Sequence, residues 1–307
     1  MKKLNKIISL LIVILIVNIN QDAKAQGCSD AGFCTINSFK PASPDSLNKQ
    51  QRNQIKIGFS TGKADNSISI FNSYLEYNRR FSEQIAVDAK LAFMSQSGNG
   101  ISASGISDFY LTANYAINKS TTFTIGTKIP FSNGNKTNAG IALPMDYQPS
   151  LGTVDLIAGF GYEIKKIKLV VALQQPVTQN SNQFLADGFP AGSFYKQFQS
   201  TNQYKRSGDI LFRASYPLQL TNKITVTPSL LPIYHLANDA FTDINGTKQI
   251  ISRSQGFTVN SNLYLDFSIN QSNAISLNVG APFVTRKSRP DGLTRSFVAT
   301  LEYRIKF

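Results

Sequence analysis

The 307-residue chain holds one histidine and two cysteines, too few donors for a zinc or haem centre. Cys28 and Cys34 stand in a C-x5-C spacing that is neither a C-x-x-C-H haem site nor a zinc pair with partners. No G-x-S-x-G nucleophile turn occurs; Gly100-Ile101-Ser102-Ala103-Ser104 fails at its last position. Walker and Rossmann glycine patterns are also missing. No cofactor and no metal are therefore expected, and no enzyme. Lys and Arg outnumber Asp and Glu by 31 to 18, a net charge of +13. They are scattered, with no basic helix or RNP-like run, which argues against a nucleic-acid partner. Beyond residue 25 no stretch has 18 consecutive apolar residues, so no transmembrane helix is expected there.

The beginning of the chain is of a different kind. Lys2, Lys3 and Lys6 precede an apolar run from Ile7 to Val17 broken only by Ser9, and Ala23-Lys24-Ala25 puts small residues before Gln26. This pattern predicts a secretory signal over residues 1–25. About 11 apolar residues are too few for a hydrocarbon core about 30 Å thick, which disfavours an uncleaved anchor. Residues 1–25 carry net +3, which leaves +10 on the remainder. That balance suits phosphate-bearing headgroups, those of outer-membrane lipids and lipopolysaccharide included. Export implies an oxidising compartment, in which Cys28 and Cys34 form a short disulfide. Lipidation of Cys28 after cleavage at Gly27 is the sharper alternative.

Residues 26–52 contain Pro41 and Pro44 and little periodicity, and read as a periplasmic lead-in or a small plug. From residue 53 the chain alternates with period two. Between Gly105 and Asn135, Phe109, Leu111, Ala113 and Tyr115 share one face, and Phe123, Ile125, Thr127 and Ile129 repeat it after a turn at Asn118-Lys119-Ser120. About twelve such strands are expected, at 53–62, 66–80, 83–95, 106–117, 121–131, 150–164, 167–177, 207–217, 223–236, 256–269, 273–285 and 295–307. Short connections alternate with long ones rich in Gly, Ser, Asn and Asp; 62–66 is the tight exception on the long side. An even strand number and sorted loop lengths predict an all-β fold: a transmembrane antiparallel up-and-down β-barrel over residues 53–307, in the outer membrane of a Gram-negative bacterium. A soluble sandwich has no reason to sort its loops so.

The two strand faces agree. One carries residues such as Leu91, Phe160, Phe212, Leu265 and Leu301; the other carries Glu76, Lys90, Asp108, Lys128, Asp155, Arg213 and Glu302. In a barrel the first meets lipid and the second a lumen. Asp108…Tyr115, Asp155…Tyr162 and Asp209…Tyr216 repeat one odd spacing. It places each Tyr at a periplasmic lipid interface and each Asp inward near the outer end. The three Asp pair with lumen bases such as Lys128 or Arg213, begin the strand beside a Gly turn, or form a ring that sets solute preference at the mouth. His235 sits inward near the outer end of the ninth strand. It is the only candidate base for a barrel hydrolase, though no Ser is marked as its partner and a pore-lining or structural role is favoured. Pro228 and Pro232 in that strand predict a kink or bulge. The last strand ends on Phe307, which resembles the signal read by the barrel-assembly machinery.

Three segments carry a family resemblance: G-I-S-D-F-Y-L-T-A-N-Y, I-G-T-K-I-P-F-S-N-G-N-K and L-P-M-D-Y-Q-P-S-L-G-T-V-D-L-I-A-G-F-G-Y, all between Gly105 and Glu163. They resemble the outer-membrane channel family named for the meta pathway of phenol degradation, which is related to the FadL-type transporters of hydrophobic compounds. The resemblance implies a passive channel for small hydrophobic or aromatic solutes. A non-conducting structural or surface-binding barrel is the alternative.

Overall fold

The computed structural model describes residues 32–41, 51–292 and 296–307. The expected signal segment and Cys28 lie outside the described residues. Twelve long strands build the molecule: β1 (Asn53–Lys63), β2 (Ser69–Arg80), β3 (Ile85–Gly98), β4 (Ile101–Ala116), β5 (Thr121–Pro130), β6 (Asp155–Ile164), β7 (Ile167–Pro176), β8 (Asp209–Ser215), β9 (Ile224–His235), β10 (Gly256–Ser268), β11 (Asn273–Val284) and β12 (Phe297–Lys306). Each pairs antiparallel with its neighbours in sequence, and β12 pairs with β1, so the sheet is a closed up-and-down barrel. Closure leaves no edge, which the interior of a bilayer requires because it offers no water to unpaired backbone groups. The seam ends in a reciprocal backbone pair, Asn53 N to Phe307 O at 2.9 Å and Phe307 N to Asn53 O at 3.0 Å.

Burial is inverted relative to a water-soluble fold. Leu301 is 52% exposed while its neighbour Glu302 is 7% exposed, and the pattern recurs on every long strand. In water such a continuous apolar belt would cost about 25 cal/mol per Å², so it is a lipid-facing surface. The aromatic residues sort by end. Tyr77, Tyr115, Tyr162, Tyr216 and Tyr303 are exposed near the short-turn end, where an aromatic girdle is at home. At the other end Phe59 stacks on Phe71 and Tyr234 packs tilted against Phe257, with centroids 6.4 and 4.6 Å apart. Among the described residues no helix is long and apolar enough to cross a membrane; the chain crosses with strands.

The expected strands differ from the observed ones in three informative places. Residues 96–105, read as a loop, form the end of β3, the start of β4 and a two-residue turn at Asn99-Gly100. Both turn residues have positive φ, +54° and +75°, the geometry that favours Asn-Gly in hairpins. The expected sixth strand begins at Asp155 rather than 150. No bulge occurs at Pro228 or Pro232. β9 keeps an unbroken register with β10, and against β8 it only omits the pairs around Phe212 and Arg213, with the register the same on both sides. Proline removes one donor there and the strand carries on, its other edge intact.

The long loops fold inward over the outer end. Leu143, Tyr147, Phe184 and Phe198 from the loops pack on Ile68, Ile70, Met94 and Ile101, which belong to the rim and the inward strand faces. A second cluster joins Met145, Leu151, Tyr204 and Ile251. The outer mouth thus has an apolar core of its own.

Candidate functional site

Residues 32–41 lie inside the barrel. Two single 3-10 turns, Phe33–Thr35 and Asn37–Phe39, shape them, closed by Thr35 N to Gly32 O at 3.0 Å and Phe39 N to Ile36 O at 3.0 Å. Gly32 has φ +79°, and a Cβ there would lie 2.5 Å from the Tyr110 hydroxyl, so glycine is required on both counts. Cys34, Ile36 and Phe39 are buried against an apolar patch of the lumen wall made by Tyr110, Ile157, Val170, Ala172, Leu211, Leu231 and Ile233.

Polar side chains of the wall hold the segment from several directions. Arg213 donates to Phe39 O, and to Cys34 O at 3.0 Å. Lys168 Nζ donates to Ser38 O at 3.0 Å and Lys40 O at 2.8 Å. Lys90 Nζ donates to Thr35 Oγ1 at 2.6 Å, and Asn37 Nδ2 donates to Asp88 Oδ1 at 2.9 Å. Lys40 pairs with Glu302 at 2.8 Å. Lys56 pairs with Glu76 at 2.8 Å and donates to Asn37 Oδ1. The segment therefore satisfies lumen groups that would otherwise be buried without partners.

Beside the segment a cavity of about 400 Å³ reaches the short-turn end of the barrel, where Arg52, Lys119 and Lys306 line it. Ten Lys or Arg side chains and three Asp or Glu side chains face it. None of Asp108, Lys128, Asp155, Asp209 and His235 lines it.

Those five residues form a layer under the outer loops. Asp108, Asp155 and Asp209 point inward near the outer end, as their parity requires, and all are buried. Asp108 accepts from Ser150 Oγ at 2.6 Å and Ser107 Oγ at 3.2 Å. Lys128 pairs with Asp155 at 3.0 Å, and Asp155 also accepts from Gln174 and from Thr153 Oγ1 at 2.6 Å. Asp209 accepts from Arg206 Nη2 and lies 2.7 Å from His235 Nδ1. His235 Nε2 is 2.8 Å from Asp239 Oδ1. Both ring nitrogens face carboxylate oxygens, which can only accept, so the ring is an imidazolium.

Loop residues complete this network. Arg286 pairs with Asp291 at 2.7 Å, Arg206 Nε lies 3.6 Å from Asp291, and Tyr204 OH donates to Asp239 Oδ2 at 2.8 Å. Burial pushes the Tyr204 phenol well up, and the Asp239 and Asp291 carboxylates add to it, so Tyr204 keeps its proton as a donor. Burial alone would raise the Asp239 carboxyl, but the His235 hydrogen bond and charge, with Arg206, hold it below its ordinary value.

The sequence residues thus divide. Lys128 belongs with Asp155, and Asp209 has Arg206 as its base. Arg213 does not offset Asp209 but binds backbone carbonyls of the inner segment. Cys34 is disulfide-bonded; Cys28 lies outside the described residues. Phe307 is exposed on the lipid side. The sequence reading did not single out Arg206, Asp239, Arg286 and Asp291 of the outer network, nor Phe39. The i,i+3 spacing of Arg206–Asp209 and the i,i+4 spacing of His235–Asp239 were available signals. Asp291 joins them only through the fold.

No protein-family model matches the chain, and no curated protein matches it by sequence. Solved structures with a similar fold include the CymD monoaromatic hydrocarbon channel, at 8% identity and TM-score 0.45, over 92% of this chain and 94% of that one. The toluene transporter TbuX of Ralstonia pickettii is similar at 10% identity and TM-score 0.42, over 84% and 90%. The KdgM porin is similar at 7% identity and TM-score 0.42, over 83% and 99%. At these values the likeness carries no more than barrel architecture, which the strand ladder already establishes for this chain.

Proposed function

We propose that the protein is a passive outer-membrane channel for small hydrophobic or aromatic solutes, occupied at rest by residues 32–41. One observation carries the reading. The lumen wall contains an apolar patch, Ile157, Val170, Ala172, Leu211, Leu231 and Ile233, and the inner segment covers it with Ile36 and Phe39. A lumen filled for stability alone has no need of a separate chain segment on such a patch, since wall side chains can fill a small barrel themselves. When the segment leaves, the patch becomes a place where a small apolar molecule replaces Phe39.

The packed outer loops favour a second reading, a barrel that conducts nothing and serves as a structural or surface-binding element. A hydrolase is disfavoured because His235 has both nitrogens committed to Asp209 and Asp239, leaving none to activate a serine. The test compares the wild-type protein with a variant lacking residues 32–41, in planar bilayers and in uptake of a monoaromatic hydrocarbon into proteoliposomes. Higher conductance and faster uptake in the variant are expected. Absence of both in both proteins overturns the channel reading in favour of the structural one.

A further inference from the structure

The chamber beside the inner segment has a charge pattern that apolar transport does not call for. Three of its cations have carboxylate partners of their own: Lys40 with Glu302, Lys56 with Glu76, and Arg304 with Asp266 at 3.8 Å. Among the described residues Lys90, Lys168 and Arg213 form no ion pair; their hydrogen-bond partners are the Thr35 hydroxyl and backbone carbonyls, while the charges of Glu76 and Glu302 act on Lys90, and that of Glu163 on Lys168, from beyond contact distance. Lys90 also lies 4.3 Å from the Tyr74 ring centre. Glu163 is the cross-strand neighbour of Lys168 but makes no ion pair with it. All three basic residues line the cavity, and Arg213 is only 2% exposed.

A second observation comes from unsatisfied donors. Arg213 Nε and Asn262 Nδ2 are buried without hydrogen-bond partners among the described residues, and both residues line the same cavity. Cations at membrane depth with no carboxylate in contact are costly and mark sites that hold something. Two donors left open beside them ask for an acceptor, and a carboxylate satisfies charge and donors together. The rest of the lining supplies hydrocarbon contact from Phe39, Leu231, Tyr74 and Tyr264. A volume of about 400 Å³ lies within the usual range for a small-molecule site.

We propose that this periplasm-facing chamber is a binding site for a small organic carboxylate, its acid group held by Lys90, Lys168 and Arg213 and its hydrocarbon part lying against Phe39 and Leu231. The site is distinct from the apolar patch under the segment. Because its test reads binding, it stands whether or not the barrel conducts.

The test titrates the purified, detergent-solubilised full chain with benzoate and with neutral benzamide at low ionic strength, by calorimetry. Benzoate should bind saturably, about tenfold or more tighter than benzamide, and weaken as salt rises, as an ion-dependent site does. Gln at all three positions (Lys90→Gln, Lys168→Gln, Arg213→Gln) should reduce benzoate affinity about tenfold or more and benzamide affinity far less. The charge-keeping pair Lys168→Arg and Arg213→Lys should restore most of it. Heat-modifiable mobility in gels reports folding, and the single Gln variants, each weakening benzoate severalfold, replace the triple if it does not fold. Equal binding of benzoate and benzamide, or full benzoate affinity in a folded Gln variant, overturns the site.

Discussion

Gly159→Ala is the perturbation that isolates the inner segment from the charges around it. Gly159 faces the lumen from β6, and a Cβ there would come 2.5 Å from Phe39 Cζ and 3.1 Å from the Ala172 Cβ. The wall at Ala172 belongs to the barrel ladder and cannot recede, so the Phe39 ring must move. Overpacking of this kind costs about 1–3 kcal/mol, which is roughly a 5- to 150-fold drop in the seated fraction if the strain falls on the segment alone. The barrel ladder is untouched, so folding should be normal. Single-channel recording should show more frequent open events, and protease should cut within 32–41 faster. Phe39→Ala in the same chain removes the clash, so the double variant should couple non-additively, being less perturbed than the sum of the two singles. Unchanged gating and protease sensitivity in folded Gly159→Ala, or strict additivity in the double variant, would show that Phe39 does not hold the segment in place.

Deleting Phe307 removes both backbone hydrogen bonds to Asn53 at the seam and should lower the yield of heat-modifiable barrel in the outer membrane; normal assembly would refute the role. Asp209→Asn takes one of the carboxylates from Arg206 and His235, a buried loss of about 3–5 kcal/mol, and should lower the temperature at which the barrel unfolds in detergent. The Asp146 carboxyl, in the loop turn Met145–Tyr147, is pushed up to about 7 by burial, with Asp65 and Asp291 adding to it. Its folded value lies above the unfolded one of about 3.9, so its contribution is present at acid pH and is lost as pH rises from about 4 toward 7. The outer loops should resist protease better at pH 5 than at pH 8, and Asp146→Asn should flatten that difference.

The barrel was legible because alternation is a local signal. Phe109, Leu111 and Tyr115 announce an outward face from their own spacing, and sorted loop lengths fix which end is which. The hairpin at 96–105 was missed because Ser and Gly hide period two, although Asn99-Gly100 is a strong turn pair. Pro232 misled in the other direction, since a proline need only omit its own ladder bond to stay in a strand. The inward parity of Asp108, Asp155 and Asp209 was readable; their partners were not. Ser150 and Arg206 lie outside the strands, in loops whose path no periodicity encodes. The same holds for Arg213, whose acceptors are carbonyls of a segment more than 170 residues away in sequence. A contact made through backbone oxygen leaves no trace in residue type.

The two charged layers of the lumen differ in a way that bears on which part moves. In the outer network the cations Arg206, Arg286 and His235 meet the three carboxylates of Asp209, Asp239 and Asp291. These three cations and three carboxylates balance one another, and removing any member strands a buried charge, so the cluster acts as a fixed seal under the loops. In the inner layer, Lys90, Lys168 and Arg213 reach a hydroxyl and four carbonyl oxygens. Water from the adjoining chamber, or an anion, can replace such neutral acceptors at little cost, because the cations keep their donors satisfied. What then holds the segment is chiefly the burial of Ile36 and Phe39, the Lys40–Glu302 pair and the Asn37 contacts. These interactions face a solvated chamber and can be exchanged one at a time, so the inner segment is the movable element and the outer layer is not.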